Sequence, residues 1–264
     1  MRANGIVTLT TDFDVRDSYA GVMRGAVLSV NPRASVVDIT HGIPAHNILH
    51  ASFTLANAIG FFPEGTIHCA VVDPGVGGKR KDIAIRTPRY FFVGPDNGIF
   101  SIAVAHEKDL DIREVKNPAY IRGVVSKTFH GRDIFAPCAG MLSKGASFTD
   151  VGPPLKTIEM LSYPEPVVRG GMMTGVVLSV DSFGNMVTNI KKDRFRPFIE
   201  KHRYEIYFAT ERFDEVSETY EDKPPGTPLV VIGSAGYLEI SMSSGNAADY
   251  FMASVGSTIS VRRF

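Results

Sequence analysis

The chain of 264 residues is poor in cysteine, carries no excess of either charge and has no long apolar run. Its two cysteines, Cys69 and Cys138, lack the spacing of metal ligands and argue against a disulfide scaffold. Lys and Arg total 28, as do Asp and Glu, so no basic excess points to nucleic acid or an anionic membrane as a partner. With no bilayer-length apolar stretch and no apolar signal-peptide core near residue 1, we expect a cytoplasmic protein.

The first part of the sequence alternates two kinds of apolar pattern. β-branched runs at 6–11 and 35–39 read as buried strands, and each is followed by apolar residues at helical spacing, at 18–30 and 47–59. Strands that alternate with helices are typical of a parallel sheet covered by helices. The sequence therefore predicts an N-terminal α/β domain with a mostly parallel central sheet.

The pattern changes after a segment rich in proline and glycine at 163–171, which reads as a linker. Beyond it the apolar runs are short, strand-like and separated by turn residues. This spacing suits a small antiparallel barrel or sandwich. We therefore predict an N-terminal α/β domain at residues 1–165 and a C-terminal β domain at residues 166–264.

Three carboxylates, Asp12, Asp14 and Asp17, follow the first predicted strand. The carboxyl end of a parallel strand is where α/β folds bind ligands. One interpretation is a carboxylate that accepts two hydrogen bonds from ribose hydroxyls, and another is a magnesium-dependent phosphotransferase with Asp12 as nucleophile. The plain alternative is a helix N-cap by Asp17 with solvated neighbours. The loop sequence alone leaves these interpretations open.

Two further stretches, 73–80 and 129–133, each follow or join an apolar strand-like run. The glycines of residues 73–80 fit neither the Walker pattern nor the G-x-G-x-x-G pattern of phosphate-binding loops. They either let the loop fold Arg80 back toward Asp73 or form a plain surface turn. Together with His130 these residues offer an acid, a guanidinium and an imidazole, a set that can polarise a small nucleophile such as water. Spacing alone does not bring His130 to the other two, and a lone histidine is more often structural.

In the second domain, residues 181–185 combine a carboxylate, an aromatic ring and an amide in a tight turn. Phe183 is suited to stacking on a base and Asn185 to reading its edge, although a simple hairpin turn has the same composition. Ser234 lies in another glycine-rich turn near strands. We treat these turns as candidate binding elements.

Six motifs occur in a fixed order along the chain. They are T-D-F-x-x-x-D, V-V-D-P-G-V-G-x-x-R, P-D-N-G, F-H-G-R-D-I-F-A-P, D-x-F-G-N-x-x-T-N, and G-Y-L-E-I with G-N-A-A. This series resembles the S-adenosyl-L-methionine hydroxide adenosyltransferases, relatives of fluorinating and chlorinating enzymes that act on the same substrate. The resemblance implies a doubly wound N-terminal domain and a β-barrel-like C-terminal domain. It also implies a homotrimer with each active site between two subunits, and no metal or cofactor besides the substrate.

The resemblance also assigns roles by motif position. Asp73, Arg80 and His130 fall on the set that handles water or hydroxide, and Asp12 falls on the carboxylate that grips the ribose diol, with Asp17 in the same loop. The remaining substrate contacts fall in the second domain: Asp181 and Ser234 at the methionine amine and carboxylate, and Phe183 and Asn185 at the adenine.

The sequence departs from the halogenating enzymes at informative positions. Those enzymes have Tyr in place of Asp73 and Ser in place of Gly131, which disfavours halogenation here. Asp14 replaces a common glycine, and Ala235 stands where the fluorinating enzyme has Arg. The implied reaction is attack of water or hydroxide at the ribose C5′, giving adenosine and L-methionine. A non-catalytic sensor of adenosine or S-adenosylmethionine and the phosphotransferase with Asp12 are the alternatives.

Overall fold

A computed structural model describes residues 1–264, which form two compact units, Met1–Leu161 and Ser162–Phe264. The sequence places its domain boundary after residue 165, and that boundary stays a prediction. None of the helices combines the length and the apolar character that a bilayer span requires.

The first unit contains seven strands and four α-helices. The strands are β1 (Ile6–Thr11), β2 (Ser35–Thr40), β3 (Ile67–Val71), β4 (Asp82–Arg86), β5 (Phe91–Pro95), β6 (Asp111–Glu114) and β7 (Pro154–Leu155). The helices are α1 (Tyr19–Val30), α2 (Ile48–Ile59), α3 (Ser101–Val104) and α4 (Ala136–Ser143), with a π-helical turn at Gly131–Phe135 and 3₁₀ turns at Pro118–Tyr120 and Phe148–Val151.

The seven strands form one sheet in the order β2-β1-β3-β5-β4-β6-β7. The first four strands in this order are parallel, and the remaining pairings are antiparallel. Apolar residues of α1 and α4 belong to one core cluster and those of α2 and α3 to another. The predicted α/β fold, with helices on both faces of the sheet, is confirmed.

Strand β3 shows how the two cores share the sheet. Cys69 and Val71 belong to the cluster that contains Met23 of α1, whereas Ala70 belongs to the cluster that contains Leu55 of α2. Successive side chains of a strand point to opposite faces, so a strand covered on both sides is apolar throughout. The polar residues that follow such strands are therefore concentrated at the sheet edge where the strands end.

The second unit is a smaller antiparallel β structure. Its strands are β8 (Val167–Arg169), β9 (Met172–Val180), β10 (Met186–Lys191), β11 (Tyr204–Phe208), β12 (Glu211–Phe213), β13 (Pro228–Ile232), β14 (Tyr237–Met242) and β15 (Thr258–Arg263), and its helices are α5 (Lys192–Ile199) and α6 (Ala247–Phe251), with a 3₁₀ turn at Tyr220–Asp222. The order is β12-β11-β15-β9-β10-β14-β13, with β8 paired to β9. This nearly closed, barrel-like sheet confirms the predicted C-terminal fold.

The close approach of β3 and β5 gives a stability prediction. A Cβ atom on Gly94 would overlap the carbonyl oxygen of Ala70 and lie 2.9 Å from the ring of Phe100. We expect Gly94→Ala to lower the free energy of unfolding by roughly 1–3 kcal/mol, as overpacking does elsewhere. Gly60→Ala is the control, because no atom lies within 4 Å of its added Cβ. Equal urea midpoints for the two variants would contradict the packing described here.

Candidate active site

A cavity of about 610 Å³ lies in the first unit where β1 and β3 end. It is lined by the loop after β1, the loop after β3 and the segment that precedes α4. Polar residues on its wall include Asp12, Asp17, Asp73, His130 and Arg132. The carboxyl ends of parallel strands are the usual ligand site of such sheets, so the cavity has the position that the fold predicts.

Arg80 lies between two carboxylates at one side of this cavity. Its Nε donates to Asp73 Oδ1 at 3.0 Å and its Nη2 to Asp73 Oδ2 at 2.5 Å, a two-point contact, while Nη1 donates to Asp82 Oδ1. The Arg80 side chain is only 11% exposed. Burial by itself lowers the pKa of Arg80, but the hydrogen bonds and charges of Asp73 and Asp82 outweigh it and raise the pKa. The guanidinium therefore stays charged, and its charge is offset within the cluster.

The glycine-rich loop after β3 brings this pair to the segment that carries His130. Gly77 has φ +72°, and a Cβ there would overlap the carbonyl oxygen of Lys127. Only glycine combines this conformation with so close a backbone approach. The loop therefore folds Arg80 back onto Asp73, as one of the two sequence interpretations has it, and packs against the chain just before His130.

His130 joins the cluster through one ring nitrogen. Its Nδ1 lies 3.0 Å from Arg80 Nη2 and 3.1 Å from Asp82 Oδ1. One nitrogen cannot accept from Arg80 and donate to Asp82 in the same protonation state, so these contacts are alternatives. With the proton on Nδ1 directed at Asp82, the Nε2 lone pair is free to accept a proton. The structure thus brings together all three residues assigned to water handling.

Asp82 is a member of this cluster that the sequence analysis missed. It is the first residue of β4 and touches both Arg80 and His130. Residues two apart in extended chain point to the same side. An acid two positions after Arg80, immediately before the apolar run of residues 83–85, was the available signal.

Asp12 and Asp17 both line the cavity, from the loop after β1. Asp12 is half-buried, and its Oδ2 accepts the backbone N–H of His46 at 2.9 Å, which leaves Oδ1 open. Asp17 is exposed and does not cap a helix, because Ser18 occupies the N-cap position of α1 and no side chain caps that end. The plain N-cap interpretation is wrong, while the binding roles of both acids stay predictions.

Asp14, the third acid of the loop, is not among the residues that line the cavity. It adopts φ +58°, accepts the N–H of Val15 at 2.5 Å and pairs with Arg16 at 2.8 Å. The backbone N–H of Val15 and then the Arg16 side chain hold the pKa of Asp14 below its usual value. Its contacts are those of a residue that shapes the loop.

Arg132 and Asp133 secure the segment on which His130 lies. Arg132 Nε and Nη2 each donate to the fully buried Asp133 at 2.7 Å, and Asp133 also accepts the N–H of Ser126 at 2.9 Å. The hydrogen bonds from Arg132 lower the pKa of Asp133 and outweigh the effect of its burial. The pair closes the loop between Ser126 and Asp133.

In the second unit, three predicted binding residues share one turn after β9. Asp181 Oδ1 accepts the N–H groups of Phe183 and Asn185, both at 2.9 Å, and Asn185 Nδ2 donates to Asp181 Oδ2 at 2.9 Å. The Phe183 side chain is 75% exposed. Ser234 lies exposed in the separate turn between β13 and β14. The roles of all four in binding stay predictions.

Glu239 of β14 is a buried acid near these turns that the sequence analysis did not single out. It is 6% exposed and accepts a hydrogen bond from the Tyr220 hydroxyl at 3.3 Å. A Cβ atom on Gly233 would overlap its carboxylate, so the carboxylate lies directly against the glycine that precedes Ser234. Burial, assisted by the charge of Asp181, raises the pKa of Glu239, although the Tyr220 hydrogen bond opposes this.

No group of three or more His, Cys, Asp or Glu side chains has the arrangement of a metal site, and both cysteines are free and buried. The expectation that no metal or cofactor is needed stays a prediction.

The fold and the cavity together define a class of protein: an α/β unit followed by a β unit, with a polar cavity at the carboxyl ends of the parallel strands. Models of the SAM hydroxide adenosyltransferase N-terminal and C-terminal domains match residues 7–152 and 175–260. The chain therefore belongs to the SAM hydroxide adenosyltransferase family, as its motifs predict.

Individual relatives agree with this assignment. The chain is 32% identical to an (R)-S-adenosyl-L-methionine hydrolase of Salinispora arenicola, over 97% of each chain. It is 24% identical to a fluorinase of an Actinoplanes species, over 100% of each chain. The crystal structure of an uncharacterized conserved protein from Thermotoga maritima superposes with a TM-score of 0.91 at 35% identity, covering 98% of this chain and 100% of that one.

The raised pKa of Glu239 predicts a pH effect on stability. The folded state holds the Glu239 proton more tightly than the unfolded state. The protonated side chain therefore contributes to the free energy of unfolding at low pH, and this contribution is lost as pH rises through the pKa of the folded state. We expect the stability of Glu239→Gln relative to wild type to be higher at pH 8 than at pH 4, because the neutral amide does not lose this contribution as pH rises. Urea unfolding at both pH values measures this, with the exposed Glu200→Gln as control. A pH-independent difference between Glu239→Gln and wild type would contradict the prediction.

Proposed function

We propose that this protein hydrolyses S-adenosyl-L-methionine to adenosine and L-methionine. The observation that carries the proposal is the partly buried cluster of Asp73, Arg80, Asp82 and His130 beside a cavity that Asp12 also lines. The Salinispora relative, an (R)-S-adenosyl-L-methionine hydrolase, supports the same reaction.

The reaction needs little acid catalysis. The sulfonium of the substrate is already a good leaving group, because methionine departs as a neutral thioether. What is required is an oxygen nucleophile in line with the bond from C5′ to sulfur. As the new bond from oxygen to C5′ forms, the electron pair of the breaking bond passes to sulfur. A positioned base contributes roughly 10²–10⁴-fold to such a step, and in-line placement can contribute more.

Within the cluster, His130 is the group that we assign as the base. Both Asp73 carboxylate oxygens are already engaged in hydrogen bonds from Arg80, whereas His130 uses only Nδ1 within the cluster. Asp82 orients the His130 ring through Nδ1 and stabilises the imidazolium after Nε2 takes the proton of water. Arg80 offsets the charges of the two acids and holds the site together.

Electrostatics favours water over a halide at this position. Two carboxylates accompany one guanidinium, and Asp73 itself lines the cavity, so an anionic nucleophile would be repelled. A side chain at Gly131 would also lie 2.9 Å from Met23 Sδ and 3.3 Å from the ring of Phe129. These features support hydrolysis over halogenation.

The substrate contacts in the proposal follow the family motifs. Asp12 binds the ribose diol with Asp17 beside it, and its open Oδ1 supports this role. The exposed ring of Phe183 suits stacking on adenine, and the Asn185 amide oxygen is available because its nitrogen is used on Asp181. Asp181 and Ser234 take the methionine moiety.

A homotrimer in the cytoplasm is also part of the proposal. Each active site would be shared between the N-terminal domain of one subunit and the C-terminal domain of its neighbour. The family resemblance is what supports the trimer and the shared sites, and the few, unpaired cysteines support the compartment.

Removal of the base tests the catalytic assignment. We expect His130→Ala to lower kcat/KM for adenosine release by roughly 10²–10⁴-fold, the contribution of a general base. Asp82→Asn is expected to lower kcat by a smaller factor, because the ring loses its orienting partner. Chromatography of adenosine measures both, with the exposed His106→Ala as control. Wild-type rates in His130→Ala would falsify the assignment.

Metal dependence separates the proposal from its rivals. We expect adenosine release from S-adenosylmethionine to be the same with EDTA and with added magnesium. No adenosine release, together with magnesium-dependent release of phosphate from a phosphomonoester, would favour the phosphotransferase with Asp12 as nucleophile. Tight binding of S-adenosylmethionine without any adenosine release would favour the sensor.

A further inference from the structure

A buried chain of polar side chains lies behind the loop that carries Asp12. Thr11 Oγ1 lies 2.7 Å from His41 Nδ1, and His41 Nε2 lies 3.1 Å from Asp38 Oδ1, an ion-pair contact that is not aligned as a hydrogen bond. Asp38 in turn accepts from Arg24 Nε at 3.0 Å. His41 is 4% exposed and Thr11 is fully buried. The proposed reaction uses none of these four side chains.

The donors and acceptors in this row of side chains can be assigned. Burial, with a smaller effect of the Arg24 charge, lowers the pKa of His41, so the ring is neutral and carries one proton. The carboxylate of Asp38 attracts that proton to Nε2, which leaves Nδ1 to accept from the Thr11 hydroxyl. The Thr11 oxygen is then free to accept the N–H of Phe13, which lies 3.2 Å away.

His41 also holds the other side of Asp12. Its carbonyl oxygen accepts the N–H of Asp14 at 2.7 Å, and the segment that follows it supplies the His46 N–H bound to Asp12. Asp14 and His46 have φ +58° and +64°, values that residues with side chains seldom adopt without support. The loop around Asp12 is therefore held by hydrogen bonds from Asp14 to His41 and from His46, in the segment that follows His41, to Asp12 itself.

The hydroxyl, imidazole and carboxylate have the order of a nucleophilic triad. Thr11 is fully buried, however, and does not line the cavity, so its hydroxyl does not reach a substrate. The arrangement acts on the loop and not on a reacting atom.

We infer that His41 is a positioning residue that, through Thr11, sets the carboxylate of Asp12 on the cavity wall and so determines recognition of the ribose hydroxyls. The inference rests on the proposed function, because it takes Asp12 as the residue that binds those hydroxyls.

The first unit contains a matched control for this pair. Thr8 Oγ1 lies 2.8 Å from His68 Nδ1, and both residues are fully buried. This pair joins β1 to β3 among the rings of Phe62, Tyr90 and Phe92, and neither member lines the cavity. It reproduces the chemistry and burial of the Thr11–His41 pair without a connection to Asp12.

The test compares Thr11→Val with Thr8→Val, each of which removes one buried hydroxyl at constant size. Affinities for adenosine and for 2′,3′-dideoxyadenosine are measured by calorimetry, together with KM and kcat for S-adenosylmethionine. We expect Thr11→Val to weaken adenosine binding and raise KM about tenfold, the size of one hydrogen bond to a charged group. Binding of the dideoxy compound and kcat should change little, and Thr8→Val should keep wild-type discrimination.

Two substitutions of His41 distinguish the role of Nδ1 from that of Nε2. They also test the inference if Thr11→Val does not fold. His41→Asn places an oxygen near the position of Nδ1 and is expected to retain discrimination between the two nucleosides. His41→Gln places its amide near Nε2, toward Asp38, and is expected to lose it. Equal discrimination in both His41 variants, or wild-type discrimination in Thr11→Val, would overturn the inference.

Failure of the proposed function gives a different result. Selective adenosine binding by wild type without adenosine release would refute hydrolysis and leave the positioning role standing. If wild type does not distinguish the two nucleosides, Asp12 does not bind the diol, and the role inferred for His41 is wrong with it.

Discussion

The site depends on one constraint: a nearly buried guanidinium must have its charge offset. Arg80 meets this constraint with two carboxylates, Asp73 from the end of one strand and Asp82 from the start of another. An unpaired charge in that position would be costly, whereas the paired cluster fixes three side chains at once. The same cluster orients the ring of His130, because its Nδ1 lies within hydrogen-bond distance of both Arg80 and Asp82. The nucleophile-handling chemistry is thus a consequence of how one arginine is paired.

Two of the acids predicted to bind substrate already accept hydrogen bonds from the protein itself. One oxygen of Asp12 accepts the backbone N–H of His46, and both oxygens of Asp181 accept hydrogen bonds from its own turn. Each acid is held by backbone or amide N–H groups before a ligand arrives, which limits the entropy lost on binding. The open Oδ1 of Asp12 and the exposed ring of Phe183 are the groups that remain for a nucleoside.

The fold was predictable because periodicity is local, whereas the site needed contacts between distant residues. Alternating strands and helices sufficed for the α/β unit, and short strands between turns sufficed for the β unit. Arg80 and His130 lie together because Gly77 lets its loop pack against the backbone of Lys127. Neither the sequence around Gly77 nor the sequence around Lys127 predicts this contact. Family motifs supplied the residues of the water-handling set. Asp82, Glu239 and His41 were missed because each acts through tertiary neighbours.

The most direct test of the account is the fate of the oxygen atom. Wild-type protein incubated with S-adenosylmethionine in H₂¹⁸O should release adenosine that carries ¹⁸O at its 5′-hydroxyl, together with unlabelled methionine, as mass spectrometry can show. That result follows from attack of water at C5′ with departure of the thioether. Adenosine without the label, or label confined to the methionine, would contradict the claim that this cluster directs water at C5′.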